Sequence, residues 1–229
     1  MKKLSVSLPK NQISFGFLYM LAQLFALPPL LTWGNWLLGS PLSASQLNFI
    51  FFALNFIVIT VVYRHFLLEN LKILLQSPWR VLRFAGAGLM LYWAGSFLVG
   101  LLIVSLSPSF ANANDQSIAA LTQDNAALMG VGTVLLVPVV EETLYRGVLF
   151  GWAYGKNTLL AYALSTVLFG AIHIIGYLGV YTPLELGLSF LQYVPAGLCL
   201  AWSYEKADSI WAPILIHIAI NQMGNYYMR

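Results

Sequence analysis

Glu141 and Glu142, followed by Arg146, stand inside a stretch that is otherwise apolar, with Gly130–Val140 before them and Gly147–Tyr154 after. Ionisable groups at membrane depth are expensive, and they usually serve a function. At helical spacing Glu142 and Arg146 are i,i+4 neighbours with the acid on the N-terminal side, the favourable order for an ion pair. Glu141 is rotated about 100° from Glu142 on a helix of 3.6 residues per turn, and no base lies in register with it. One carboxylate is therefore paired and the other is free. The plain structural alternative is two carboxylates bridging neighbouring helices. An unpaired carboxylate gains nothing from that role, so chemistry is the better reading.

Two further constellations carry polar groups at matching depth. Phe169 and His173 share one helix face, and His217 and Asn221 share another. Glu141 lies 15 residues before Lys156 and His173 lies 17 after it, so a hairpin turning at Lys156–Asn157 brings both to similar depth. Asn221 is 13 residues beyond Asp208, about 20 Å along its helix at 1.5 Å per residue. Glu141 and His173 could hold a water between them, with the carboxylate as general base. His217 and Asn221 could then donate to the oxyanion formed when that water attacks a carbonyl. Arg146 and Glu142 support the arrangement. This is peptide hydrolysis without a covalent nucleophile, and no Gly-x-Ser-x-Gly pattern competes with it. Zinc is the other chemistry open to these residues, held by Glu141, His173 and His217, with Asn221 as a further candidate ligand. The His-Glu-x-x-His spacing that would demand a metal is absent. His65, the third histidine, falls on the polar stripe His65–Glu69–Lys72–Gln76 of a surface helix and is given no catalytic role.

The elements that must position these groups are membrane helices. Hydrophobic residues make up 59% of the 229 and charged residues 8%, against about 25% in soluble domains, which excludes a soluble fold carrying a single anchor. The expected architecture is all-α: one integral-membrane domain, 1–229, with its catalytic core in 125–226. Seven spans are expected, at about 13–38, 48–63, 84–106, 125–154, 158–175, 186–204 and 209–226, with an interfacial helix over 64–83. The first bends near Pro28–Pro29 and the sixth is interrupted near Pro195–Gly197. A split at Pro138 would make eight. Gly147, Gly151 and Gly155 form a ridge of small residues for a neighbouring helix. Ser107–Asp124 reads as a polar loop.

Lys2, Lys3, Lys10, Arg64, Lys72, Arg80 and Arg83 mark one side as cytoplasmic, so the N-terminus is expected inside and Arg229 outside. The net charge of +3 is small and scattered, giving no reason to expect a nucleic-acid partner. The single cysteine, Cys199, allows no internal disulfide and lends little to thiol catalysis. Membrane lipid and a peptide or membrane-protein substrate are the expected partners.

Glu141-Glu142-Thr-Leu-Tyr-Arg146, Phe169-Gly-Ala-Ile-His173 and His217-Ile-Ala-Ile-Asn221 resemble, in order, the three motifs of the CAAX protease and bacteriocin-processing family of intramembrane peptidases. The resemblance covers about 125–226. It implies Glu141 as water-activating base with His173, oxyanion stabilisation by His217 and Asn221, and support from Glu142 and Arg146. It implies no certain cofactor, since both metal-dependent and metal-free mechanisms are argued for the family. The compact chain is more similar to bacterial members than to eukaryotic prenyl-protein processors. That implies a multi-pass protein of the bacterial plasma membrane, with bacteriocin maturation or self-immunity as its setting. Two other function classes compete: a non-catalytic immunity or regulatory protein that binds a membrane partner, and an ion-coupled transporter. Polar residues clustered at one depth, without an inverted repeat, count against the transporter.

Overall fold

The structure, a computed structural model, describes residues 4–39 and 41–227. Lys2, Lys3 and Arg229, which entered the expected orientation, lie outside the described residues. Helices α1 (Lys10–Phe25) and α2 (Leu27–Leu37) form one segment bent by 47°, just before Pro28–Pro29 as the prolines require. They are followed by α3 (Ala44–Val62), α4 (Arg64–Gln76), α5 (Pro78–Leu106) and α6 (Ala113–Asp124). The motif-bearing part comprises α7 (Ala126–Tyr154), α8 (Thr158–Ile172), a 3₁₀ turn at Ile175–Tyr177, α9 (Pro183–Ala207) and α10 (Trp211–Tyr227). No β-strand occurs among the described residues.

Helix starts follow from their capping residues. Asn112, Asn125 and Asn157 each accept a first-turn amide in their side chain, and Ser43 with Gln46 and Thr182 with Glu185 form capping boxes. Asp208 ends α9 in the left-handed region at φ 55°. Among the described residues five helical segments are long and apolar enough to cross a membrane (α3, α5, α7, α8 taken with its 3₁₀ turn as Thr158–Tyr177, and α9), and the bent pair α1–α2 makes a sixth. The last helix, α10, has 17 described residues and does not meet the same test. The protein is a multi-pass membrane protein with five to six qualifying spans, where seven were expected.

Hydrogen bonds group the connections at two ends of the bundle. Asp124 accepts from the hydroxyls of Ser43 and Ser45, joining the 39–46 connection to the end of α6. At the other end Asp208 accepts from Ser5, and Asn70 of α4 receives the amide of Ile210 at 2.8 Å. This is the pairing of connections that the expected threading requires.

Several local expectations are corrected. Ser107–Asp124 is mostly helix, because Asn112 caps a new start at Ala113. The interfacial helix stops at Gln76, and the following span begins at Pro78 instead of residue 84, with proline in the first turn where its missing N–H costs nothing. As expected, the stripe His65, Glu69, Lys72 and Gln76 is exposed, while Phe66, Leu67 and Asn70 face inward. Neither interior proline splits its segment. Pro195 lies within continuous α9, beside Gly95 of α5, and Pro138 is accommodated by a π-helical turn at Gly132–Leu136. The glycine ridge is reduced to one member. A Cβ on Gly147 would meet the Phe66 ring at 3.0 Å, whereas Gly151 and Gly155 face only their own helix. A tighter approach lies at Gly197, where a Cβ would come within 2.9 Å of the Thr166 Cα and so force α8 and α9 apart.

Candidate active site

Arg146 and Glu142 lie at the centre of the core with no solvent exposure. Arg146 Nη1 donates to Glu142 Oε1 at 2.8 Å, the pairing expected from their spacing. The guanidinium also rests over the Phe169 ring, 4.3 Å from its centroid, and Nη2 approaches the Gly197 carbonyl at 3.5 Å. A buried cation so held is stabilised by charge, by the ring quadrupole and by a carbonyl dipole together.

Glu142 has a second partner that spacing could not reveal. His217, 75 residues away on α10, places Nδ1 2.7 Å from the same Oε1. A carboxylate only accepts, so Nδ1 carries the proton and Nε2 is left for the cavity. Nε2 stands 3.9 Å from Glu141 Oε2. The Glu142–His217 contact fixes the tautomer and the ring orientation, as the carboxylate does in a hydrolase triad.

His173 is positioned differently. It is the residue that ends α8, and its Nδ1 lies 2.7 Å from the carbonyl oxygen of Phe169. That oxygen is also an acceptor, so Nδ1 donates and Nε2 presents a lone pair. The ring stacks on Tyr193 of α9, centroids 4.1 Å apart, and leans on Phe169 at 4.9 Å. Phe169, 2% exposed, thus touches both histidines and Arg146, being 5.8 Å from the His217 ring. It spaces the two imidazoles rather than merely sharing a face with one.

Glu141 is the odd member of the group. Its Oε2 is buried and has no hydrogen-bond partner in the described protein. It lines a cavity of about 630 Å³ together with His173, His217, Asn221 and Phe169. The structure therefore brings all four residues expected to do chemistry to one chamber. Asn221 Nδ2 donates to the Thr133 carbonyl at 2.7 Å, leaving its second amide hydrogen and Oδ1 without a partner in the described protein.

Sequence reasoning missed Tyr193, Thr133 and Asn225. Asn225 was legible, since it continues the His217–Asn221 face by one turn; nothing in the sequence singled out Tyr193. The cavity's far wall also holds Asn112, whose Nδ2 donates to Gln192 Oε1 at 2.6 Å and whose Oδ1 lies 3.5 Å from the Tyr193 hydroxyl. Among the described residues no three His, Cys, Asp or Glu side chains are grouped to hold a metal ion. His217 Nδ1 on Glu142 and His173 Nδ1 on a carbonyl leave both Nε2 atoms free, and these with Glu141 are the groups that would hold a zinc ion.

Comparison with known proteins points to the same segment. Residues 123–223 match the family model "Type II CAAX prenyl endopeptidase Rce1-like". The chain is also 28% identical over 145 residues to a protein of Bacillus subtilis (strain 168) named "Putative membrane peptidase YdiL". That alignment covers 58% of this chain and 54% of the relative, so the chain spans about half the length of the curated relative it matches. No solved structure matches. All three motifs lie within the segment 123–223 that is similar to this family model.

Proposed function

We propose that the protein is an intramembrane endopeptidase in which Glu141 activates a water for attack on a peptide carbonyl. The observation that carries this reading is Glu141 Oε2, buried without a hydrogen-bond partner among the described residues, in a cavity that His173 and the buried His217 also line. A water there gives one hydrogen to Glu141 and directs the other to the His173 Nε2 lone pair. Its oxygen attacks the carbonyl carbon while Glu141 takes the proton. The resulting oxyanion lies against the free N–H of Asn221 and against His217, which donates from Nε2 when its imidazole carries both protons. Glu141 then returns its proton to the leaving nitrogen as the C–N bond breaks, giving an amine and a carboxylic acid, whose remaining proton passes to the His173 Nε2 lone pair. The family resemblance supplies the setting: a peptide or membrane protein in the same bilayer, cleaved in bacteriocin maturation or self-immunity.

A membrane-bound binding protein is the competing reading, and one substitution separates the two. Glu141→Gln keeps the shape and removes the base, so hydrolysis of a membrane-peptide library by purified protein should fall by roughly 10²–10⁴ with insertion unchanged. Full biological activity of Glu141→Gln at normal membrane abundance would instead establish the binder.

A further inference from the structure

Thr133 has a backbone carbonyl that its own helix does not satisfy. In the π-helical turn Gly132–Leu136 the amide of Val137 reaches back five residues to the Gly132 carbonyl. In the same register the donor to the Thr133 carbonyl would be residue 138. That residue is Pro138, which has no N–H. The Thr133 carbonyl accepts from Asn221 Nδ2 instead, at 2.7 Å.

Three more bonds tighten this joint. Asn225 Nδ2 donates to Thr133 Oγ1 at 2.7 Å and to the backbone carbonyl of Asn221 at 3.1 Å. Thr133 Oγ1 in turn donates to the Met129 carbonyl at 2.7 Å. Every hydrogen of the Thr133 hydroxyl and the Asn225 amide nitrogen is thereby used. Thr133 and Asn225 are buried, at 8% and 5% exposure, and both border the chamber that holds Glu141. One N–H of the planar Asn221 amide is pinned, so the direction of the other is fixed.

We infer that Pro138, Thr133 and Asn225 are positioning residues for Asn221: the proline in its π turn frees one carbonyl, and that carbonyl aims the asparagine amide into the cavity. The catalytic consequence rests on the peptidase reading; the anchoring itself does not. Thr133→Val keeps the β-branched shape and removes the hydroxyl that holds Asn225. Its kcat should fall roughly 10–10²-fold from misplacement of Asn221, with KM within about twofold, and Thr133→Ser should restore the rate. Glu141→Gln is measured in parallel. If it abolishes turnover while Thr133→Val matches wild type, the inference falls and the peptidase reading stands. If Glu141→Gln matches wild type, the peptidase reading falls, and the anchoring is judged by a readout that needs no turnover. With carbonyl-¹³C threonine, the isotope-edited infrared difference between wild type and Asn221→Ala should show one threonine carbonyl moving to higher frequency. An unchanged band would overturn the anchoring.

Discussion

In the most apolar window of α5 only 6% of residues are buried inside the protein, and in α3 17%, whereas α7 and α9 bury 50% each. The first two present large apolar side chains outward (Leu54 and Ile57 of α3, Phe97, Leu98 and Leu101 of α5 among them), as helices do when lipid is their solvent. The latter two enclose Arg146, Glu142 and the cavity wall. The difference teaches where a membrane protein places its polar groups. Charge is held only where several helices converge to replace water's hydrogen bonds, and the outer helices contribute a wall with a few polar residues, such as Asn55 and Tyr92, at its inner face.

The sharpest way to break this comparison is to leave one buried charge alone. Arg146→Ala strips Glu142 of its cation, and breaking a buried pair costs about 3–5 kcal/mol, so folded yield after detergent extraction should drop severely. Phe97→Ala on the lipid face of α5 should leave yield near wild type. Normal yield for Arg146→Ala would show that the central ion pair does not hold the bundle together, and the contrast between inner and outer helices would lose its energetic content.

A smaller effect tests the rim at the far end. Hydrogen bonds from Ser45 and Ser43 hold the Asp124 carboxyl below the ordinary aspartate value. A depressed carboxyl contributes stability above its unfolded pKa, and that contribution is lost as pH falls through the folded value. Proteolysis of the 39–46 connection should therefore accelerate below about pH 4, the ordinary aspartate range, and Asp124→Asn should flatten that dependence. A wild-type profile identical to that of Asp124→Asn would remove this tie.

How much of this was legible beforehand differs by residue. The Glu142–Arg146 pair follows from local spacing, which a helix converts directly into distance. The convergence of Glu141, His173 and His217 followed from counting residues to shared turns. His217 on Glu142 did not, because side-chain contact between α7 and α10 depends on helix rotation and tilt. Pro138 and Pro195 misled for a shared reason: neighbouring helices and a widened turn absorb what an isolated helix could not. The polar segment 107–124 misled because composition was read where capping decided, with Asn112 starting a helix over residues of low hydropathy.

The central claim is that Glu141 and His173 act on one water as a single unit. The direct measurement is the double-mutant cycle on kcat/KM for one cleaved membrane peptide, comparing Glu141→Gln, His173→Ala and the double variant. Groups that share one step are not additive, so the double variant should be within about threefold of the slower single one. Losses that multiply, with each substitution costing its full factor in the other's background, would contradict the account and assign the two residues to separate tasks.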